Sequence, residues 1–321
     1  FTLPEGEAIK PILIRFEGEI DPMSRAYLFR KLDEAKQKDA NLLIVEIDSP
    51  GGYVDDSQRI AERLRDLPWA HTVAYVPREA LSGAAIMSLG CDDIIMAPGA
   101  SLGDAGPIFM GEDFLFRHAP EKVRSDLVKI VRQLAEAKGR PPALAEAMVD
   151  MDTVVYLWTN KTTGKTAYMS AHDVESLADA NQWQRGPMVR ASRKGLFLEV
   201  HGKEAVQLGL AQGLAANREE LKEYYQIDGE LPVLEYTATD AAVFVLTHPV
   251  MTGILFVVGL IALYVEFCSP GIGFGALMAG LCFALFFWSR FLGGTAEWLE
   301  LLLFAAGVVF LLVELLIIPG F

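Results

Sequence analysis

Short apolar runs alternate with amphipathic segments over roughly the first two thirds of the chain. Helices are predicted between these runs, one starting at Asp21-Pro22 and one capped by Ser57. Strands that alternate with helices indicate an α/β domain with parallel strand pairing. The predicted buried strands lie at 11–16, 42–47, 72–76 and 93–97.

The same pattern predicts a long helix and then a β-hairpin. Apolar residues recur at helical spacing over 121–138, and Gly139 and Pro141 follow. Two strand-like runs, 154–159 and 166–170, flank a polar turn around Gly164. They lie in a segment, 151–195, that we interpret as an insertion at the substrate side or at an oligomer contact.

Beyond residue 250 the chain is almost wholly apolar. Three segments, 250–267, 271–288 and 298–318, are near the length that crosses the hydrocarbon core of a bilayer. The preceding segment, 238–247, is either an amphipathic helix at the membrane interface or a plain linker. We therefore divide the chain into a folded domain (1–235), a juxtamembrane segment (236–249) and transmembrane helices (250–321).

The apolar tail contains an internal repeat. LYVE at 263–266 precedes a Pro-Gly turn at 270–271, and LVE at 312–314 precedes another at 319–320. The first copy leads into a further span, so this symmetry predicts a fourth span after residue 321. Glu266 and Glu314 end their spans, and we expect them to reach the interface or to pair within the bundle.

Composition narrows the possible functions. The net charge is −14 and no basic run stands out, which argues against nucleic acid as a partner, since phosphate binding needs clustered Lys and Arg. Cys91 is the only cysteine before the apolar tail, so that part cannot form an internal disulfide. The chain begins with Phe1, which either a removed signal peptide or a trimmed chain would explain. We favour the signal peptide, because the first domain would otherwise have to stay on the cytoplasmic side.

Two motifs follow predicted buried strands and have the residue types of an acyl-transfer site. Residues 48–52 read DSPGG, and adjacent glycines allow the backbone to approach a ligand closely. Residues 80–85 read ALSGAA, which places Ser82 between a strand and a helix, where backbone N–H groups favour a developing oxyanion. Each motif alone is more simply read as a turn or as a helix cap.

In order along the chain, these motifs resemble the ClpP/crotonase superfamily. DSPGG, ALSGAA, APGASLGDAGPI at 97–108 and KEAVQLGLAQG at 203–213 are similar to NfeD-type membrane-bound ClpP-class serine proteases, also called stomatin operon partner proteins. They are also similar to signal peptide peptidase A. The resemblance implies an α/β ClpP/crotonase-like domain followed by a transmembrane helical region.

The resemblance also implies the catalytic roles. Ser82 corresponds to the nucleophile, Gly52 and Gly83 to the oxyanion donors, and Gly51 to the residue that shapes the turn. The base in the membrane relatives is a lysine about 40 residues after the serine, which here is Lys122.

Two neighbouring residues complicate the assignment of the base. His118 is the alternative, since soluble ClpP pairs its serine with a histidine. Asp104 departs from the family pattern, and we expect it either to pair with Lys122 or to cap a turn. No histidine or cysteine spacing typical of zinc sites occurs, so neither a metal nor a cofactor is expected.

The sequence thus predicts a serine endopeptidase with a Ser-Lys dyad that cleaves hydrophobic segments of membrane proteins. The resemblance implies stomatin-like (SPFH) partners, a homo-oligomer and a prokaryotic cell membrane, with the protease domain extracytoplasmic. One alternative is a catalytically silent scaffold that assembles with a stomatin homologue. Another is a crotonase-type acyl-CoA enzyme, for which a membrane tail is not expected.

Overall fold

The computed structural model describes residues 8–110, 115–268, 273–292 and 298–317. The chain divides into two compact units, Phe1–Glu235 and Tyr236–Phe321, and each is described by itself.

The first unit combines strands and helices in alternation. Its strands are β1 (Pro11–Glu17), β2 (Leu42–Asp48), β3 (His71–Val76), β4 (Glu79–Leu81), β5 (Asp93–Met96), β6 (Ser101–Gly103), β7 (Ile108–Met110), β8 (Phe116–His118), β9 (Val155–Asn160), β10 (Thr166–Ser170), β11 (Trp183–Met188), β12 (Glu199–His201), β13 (Gly213–Leu214) and β14 (Val233–Leu234). Its helices are α1 (Pro22–Gln37), α2 (Val54–Arg65), α3 (Gly83–Leu89), α4 (Glu121–Ala137), α5 (Pro142–Val149), α6 (Ala171–Glu175), α7 (Gly202–Gln207) and α8 (Arg218–Tyr224).

A six-stranded parallel sheet forms the centre of this unit, in the order β13-β5-β3-β2-β1-β14. The first six residues of β2 are all buried, because apolar clusters cover both faces of the sheet. Parallel strands end at the same edge, so the loops after β2 and β3 meet there.

The described residues also form three smaller sheets. β12-β6-β4 lies beside the loop after β2, through a bridge between Ser49 and Ala80. β7 and β8 form an antiparallel hairpin, and β10-β9-β11 forms an antiparallel sheet within the 151–195 segment.

The predicted strands, the long helix and the hairpin are confirmed. Asp21 caps α1 as predicted, in a reciprocal pair of hydrogen bonds with Ser24, and Pro22 opens the helix. The predicted cap at Ser57 is wrong. Helix α2 begins one turn earlier, at Val54, and the buried Ser57 hydroxyl donates to the carbonyl of Tyr53 at 2.8 Å.

The second unit is helical, with α9 (Ala238–Thr247), α10 (Pro249–Phe267), α11 (Phe274–Leu292) and α12 (Trp298–Ile317). Within the described residues, α10 and α11 are long and apolar enough to cross a membrane, with mean hydropathies of 2.0 and 1.6. α12 occupies the third predicted span, and α9 is a helix where a linker was the alternative.

Glu266 joins the two long apolar helices. Its carboxylate accepts hydrogen bonds from the N–H groups of Gly273 and Ala276, the latter at 3.0 Å. A Cβ at Gly275 would lie 2.7 Å from this carboxylate. Glu266 therefore pairs within the bundle and satisfies donors at the start of α11 that have no partner inside the helix. The side chain of Glu314 lies outside the part of the chain that the structure describes.

Arg140, just after α4, connects segments that are distant in sequence. Its guanidinium is buried and donates to the carbonyls of Leu210 at 3.0 Å and Cys91 at 2.8 Å. It also donates to the carbonyls of Leu89 and Asp92 and to the side chain of Gln212. One side chain thus connects the end of α4 to the segment that joins α3 to β5 and to the segment that joins α7 to β13.

We predict that Arg140→Met destabilises the first unit strongly, because it leaves several buried acceptors without donors. The free energy of unfolding should fall by about 3 kcal/mol or more. Urea titration followed by intrinsic fluorescence measures this. The control is Arg63→Met, which removes an exposed ion pair with Asp33 and should change it by less than about 0.5 kcal/mol. Equal effects would contradict the prediction.

Candidate active site

Ser82 lies directly after β4, at the residue that precedes α3. Its backbone has φ 53° and ψ −125°, a conformation that non-glycine residues rarely adopt and that costs about 1–3 kcal/mol. Its N–H donates to the carbonyl of Gly103 at 2.9 Å. Its hydroxyl does not cap α3 and makes no hydrogen bond to any described residue. The strained backbone therefore presents a free hydroxyl, and the helix-cap interpretation is wrong.

The loop after β2 passes immediately beside Ser82. Ser49 pairs with the strand before Ser82, since its carbonyl accepts the N–H of Leu81 at 3.1 Å. Gly51 has φ +98°, and a Cβ there would lie 2.4 Å from the Cβ of Ser82. Only glycine fits this contact, in conformation and in space.

Two backbone N–H groups next to Ser82 have no acceptor among the described residues. One belongs to Gly52 and the other to Gly83, the first residue of α3. The backbone hydrogen bonds to Ile20 on either side of Gly52 are made by the carbonyl of Gly51 and the N–H of Tyr53. A Cβ on Gly83 would lie 3.5 Å from the N atom of Gly52, so the two residues are adjacent. Two free donors beside a hydroxyl are the components of an oxyanion hole.

Side chains are excluded from both donor positions. A Cβ on Gly52 would lie 2.0 Å from the carbonyl oxygen of Ile20, and one on Gly83 would lie 2.0 Å from the hydroxyl of Ser57. Because Ser57 lies inside α2 and not at its cap, its side chain lies beneath the start of α3.

Neither candidate base forms a hydrogen bond with Ser82 in the structure. Lys122 is the second residue of α4, is exposed, and forms neither a hydrogen bond through its amine nor an ion pair with any described residue. His118 is also exposed, and its ring packs edge-on against Phe197 with centroids 5.4 Å apart. The Ser-Lys dyad is therefore not formed here, and the choice of base stays a prediction.

Asp104 does not pair with Lys122, so that expectation is wrong. Its backbone has φ 45°, and its N–H donates to the carbonyl of Leu198 at 2.8 Å. Although the residue as a whole is exposed, partial burial of its carboxyl raises the pKa of Asp104, the charge of Glu199 raises it further, and His118 lowers it.

A cleft of about 410 Å³ opens next to this carboxyl. It is close to Ser82, because Leu81 pairs with Gly103 and Gly103 pairs with Glu199 across neighbouring strands. Sequence reasoning did not identify its far wall, which the 190–199 segment supplies. The charged or aromatic residues that line it are Asp104, His118, Arg190, Arg193, Phe197 and Glu199.

The described residues contain no group of three or more His, Cys, Asp or Glu side chains arranged to hold a metal ion.

We predict that Gly51→Ala disturbs the fold and the position of Ser82 together. The new methyl group would be strained by the positive φ, at about 1–2 kcal/mol, and would also overlap Ser82. The matched control is Gly18→Ala, because Gly18 also has positive φ (+86°) but has open space around it. Thermal unfolding should show a clearly larger loss for Gly51→Ala, and equal losses would contradict the clash.

We also predict that Asp104→Asn stabilises the chain at neutral pH. Since the pKa of Asp104 is raised on folding, the stability it contributes is full below its ordinary value near 3.8 and is lost as pH rises through the raised value. The thermal midpoint should therefore rise at pH 7 and stay unchanged near pH 3. Asp39→Asn, at an exposed residue that also has positive φ, is the control. A gain that persists at pH 3 would contradict this electrostatic origin.

Comparison with known proteins agrees with this architecture. The family model for the NfeD1b N-terminal domain matches residues 11–183, and that for the NfeD integral membrane domain matches 250–321. A membrane protein NfeD1b of Bacillus subtilis is 27% identical over 309 residues, which are 96% of this chain and 62% of that protein. A membrane-bound protease, PH1510, of Pyrococcus horikoshii is 28% identical over 141 residues, 43% of this chain and 32% of that protein. The chain thus spans less than two thirds of the length of these relatives.

A solved structure shares the fold of the first unit. It is a lysine-to-alanine variant of the 1510-N membrane-bound stomatin-specific protease with a substrate peptide, with a TM-score of 0.53 and 20% identity. The match covers 74% of this chain and 97% of that chain. The predicted fold class, a ClpP-like α/β domain followed by a membrane region, is confirmed, and the chain belongs to the NfeD family of membrane proteins.

Proposed function

We propose that this chain is a membrane-anchored serine endopeptidase in which Ser82 is the nucleophile and Lys122 the general base. The observation that carries the proposal is the free Ser82 hydroxyl, held on a strained backbone beside the unpaired N–H groups of Gly52 and Gly83.

The proposed reaction is an acyl transfer in two steps. The Ser82 hydroxyl attacks the peptide carbonyl while Lys122 takes its proton, and the oxyanion accepts hydrogen bonds from Gly52 and Gly83. Lys122 then protonates the leaving amine, which yields an acyl-enzyme. A water molecule, deprotonated by Lys122, hydrolyses the ester and restores Ser82.

Lys122 must approach Ser82 for this to occur. No described residue holds its amine in the exposed position, and catalytic hydrogen bonds are often long or absent before substrate binds.

The spacing of the two residues supports this pairing. The similar solved structures include one variant with a serine replaced by alanine and one with a lysine replaced, and those two residues lie 41 positions apart. Lys122 follows Ser82 by 40 residues. His118 remains the alternative base.

We propose that the substrates contain hydrophobic segments of membrane proteins, including stomatin-like (SPFH) partners. Several large apolar side chains are exposed on the loop after Gly52, on the β7–β8 hairpin and at the start of α4: Tyr53, Ile108, Phe109, Leu115 and Val123. A homo-oligomer in a prokaryotic cell membrane, with the first unit extracytoplasmic, completes this proposal.

The exposed position of Lys122 favours a second candidate function. A catalytically silent scaffold that assembles with a stomatin homologue needs the fold and the membrane helices but not the dyad. In that case Ser82 and Lys122 would be replaceable without effect on complex formation or on phenotype.

We predict that Ser82→Ala and Lys122→Ala each reduce peptide hydrolysis by about a thousandfold or more, because the two residues act as a unit. The control is Lys129→Ala, which removes an exposed lysine two turns further along α4. Hydrolysis by the full chain in nanodiscs, with fluorophosphonate labelling of Ser82, measures this. Full activity in Ser82→Ala would reject Ser82 as the nucleophile, whereas a wild type that neither hydrolyses peptide nor labels would favour the scaffold.

The pH dependence separates the two bases. A lysine base predicts kcat/KM that rises with pH beyond 7.5, whereas a histidine base predicts a plateau by then. His118→Ala should leave the rising profile in place. Loss of activity in His118→Ala, with Lys122→Ala still active, would transfer the role of base to His118.

A further inference from the structure

A basic segment lies beside the candidate active site in an otherwise acidic chain. Residues 183–198 contain four cationic side chains and no acidic one, whereas the whole chain has a net charge of −14. The four cations are Arg185, Arg190, Arg193 and Lys194. Arg185 stacks over the ring of Tyr156 at 4.9 Å, while Arg190 and Arg193 line the cleft.

The backbone that carries these two arginines is fixed. Arg190 to Ser192 form a 3-10 turn, and the buried Ser192 hydroxyl accepts the N–H of Val155 at 2.9 Å and donates to the carbonyl of Val189 at 3.0 Å. Gly195 is held by the carbonyl of Met151 at 2.8 Å. The arginines therefore project from an anchored wall.

The cleft is within reach of a peptide bound at Ser82. Leu81, Gly103 and Glu199 are neighbours on three adjacent strands, and strands lie about 4.8 Å apart. The strand of Glu199, which lines the cleft together with the two arginines, is thus roughly 10 Å from the strand that ends at Ser82, or about three residues of extended peptide.

The two arginines have no counter-ion within the described residues. Both arginine side chains are exposed, and neither guanidinium forms a hydrogen bond or an ion pair with a described residue. The cleft also contains Asp104 and Glu199, but the cation that acts on Asp104 is His118 and not an arginine. The cleft thus has an acidic end and a separate, unpaired basic wall.

We propose that Arg190 and Arg193 bind an acidic side chain of the peptide substrate about three residues from the scissile bond. This rests on the proposed function and narrows its substrates to apolar segments flanked by Asp or Glu. A guanidinium suits this role because its planar donors match a carboxylate in pairs.

The test uses the full chain in phosphatidylcholine nanodiscs and pairs of peptides that differ only by Glu or Gln. The substituted position is moved from three residues before the scissile bond to three after it. The wild type should favour Glu over Gln in kcat/KM by about tenfold at one position, as expected for charge-assisted hydrogen bonds at a partly exposed site.

Three variants assign that preference. The double variant Arg190→Ala/Arg193→Ala should lose it, and Arg193→Glu should favour Lys over Glu at the same position. Lys194→Ala is the matched control, because it removes an equal charge one residue away from the cleft, and it should keep the preference. A preference for Glu that survives in the double variant would overturn the proposal. So would a preference for Glu that appears only when the phosphatidylcholine of the nanodiscs is replaced by anionic lipid.

A binding measurement separates this proposal from the proposed function. Fluorescence anisotropy of the same labelled peptides on Ser82→Ala needs no hydrolysis. If the wild type never cleaves but binding favours Glu through Arg190 and Arg193, the protease is wrong and the arginine site stands. If cleavage depends on Ser82 but Glu and Gln peptides bind and react equally at every position, the arginine site is wrong and the protease stands.

Discussion

The candidate active site depends on the close contact between Gly51 and Ser82. The two residues come from different loops, and there is no space between them for a methyl group. This contact sets the distance from the loop after β2 to the start of α3, and so the spacing of the N–H groups of Gly52 and Gly83. Those donors are useful for an oxyanion only if they converge on one point.

The same arrangement explains why one part of the site is preformed and another is not. The Ser82 hydroxyl and the N–H groups of Gly52 and Gly83 lie beside the edge at which the parallel strands of the central sheet end. Backbone hydrogen bonds and buried side chains fix them there. Lys122 lies at the start of α4, after a β-hairpin, with an exposed side chain. In the proposed mechanism the oxyanion donors are thus preformed, whereas activation of Ser82 requires Lys122 to be brought to it.

Local sequence predicted local structure well. Buried strands and the cap at Asp21 follow from short-range patterns, and all appear in the structure. The predicted cap at Ser57 was wrong, because the hydroxyl of a serine inside a helix can donate a hydrogen bond to a carbonyl of the preceding turn. Here the Ser57 side chain also packs under Gly83. The cleft could not be predicted, since its wall at Arg190 and Arg193 meets Asp104 only through long-range pairing. The one local signal was that residues 183–198 contain four separated cations and no acid, a pattern too sparse to stand out as a basic run.

Glu266 has a consequence for how the membrane region is made. The N–H groups at the start of α11 have no partner inside the helix, and the residue that accepts hydrogen bonds from two N–H groups there, those of Gly273 and Ala276, belongs to α10. The second helix therefore depends on the one synthesised before it. During biogenesis this dependence favours entry of the two helices into the bilayer together, as a helical hairpin, over stepwise release of single helices.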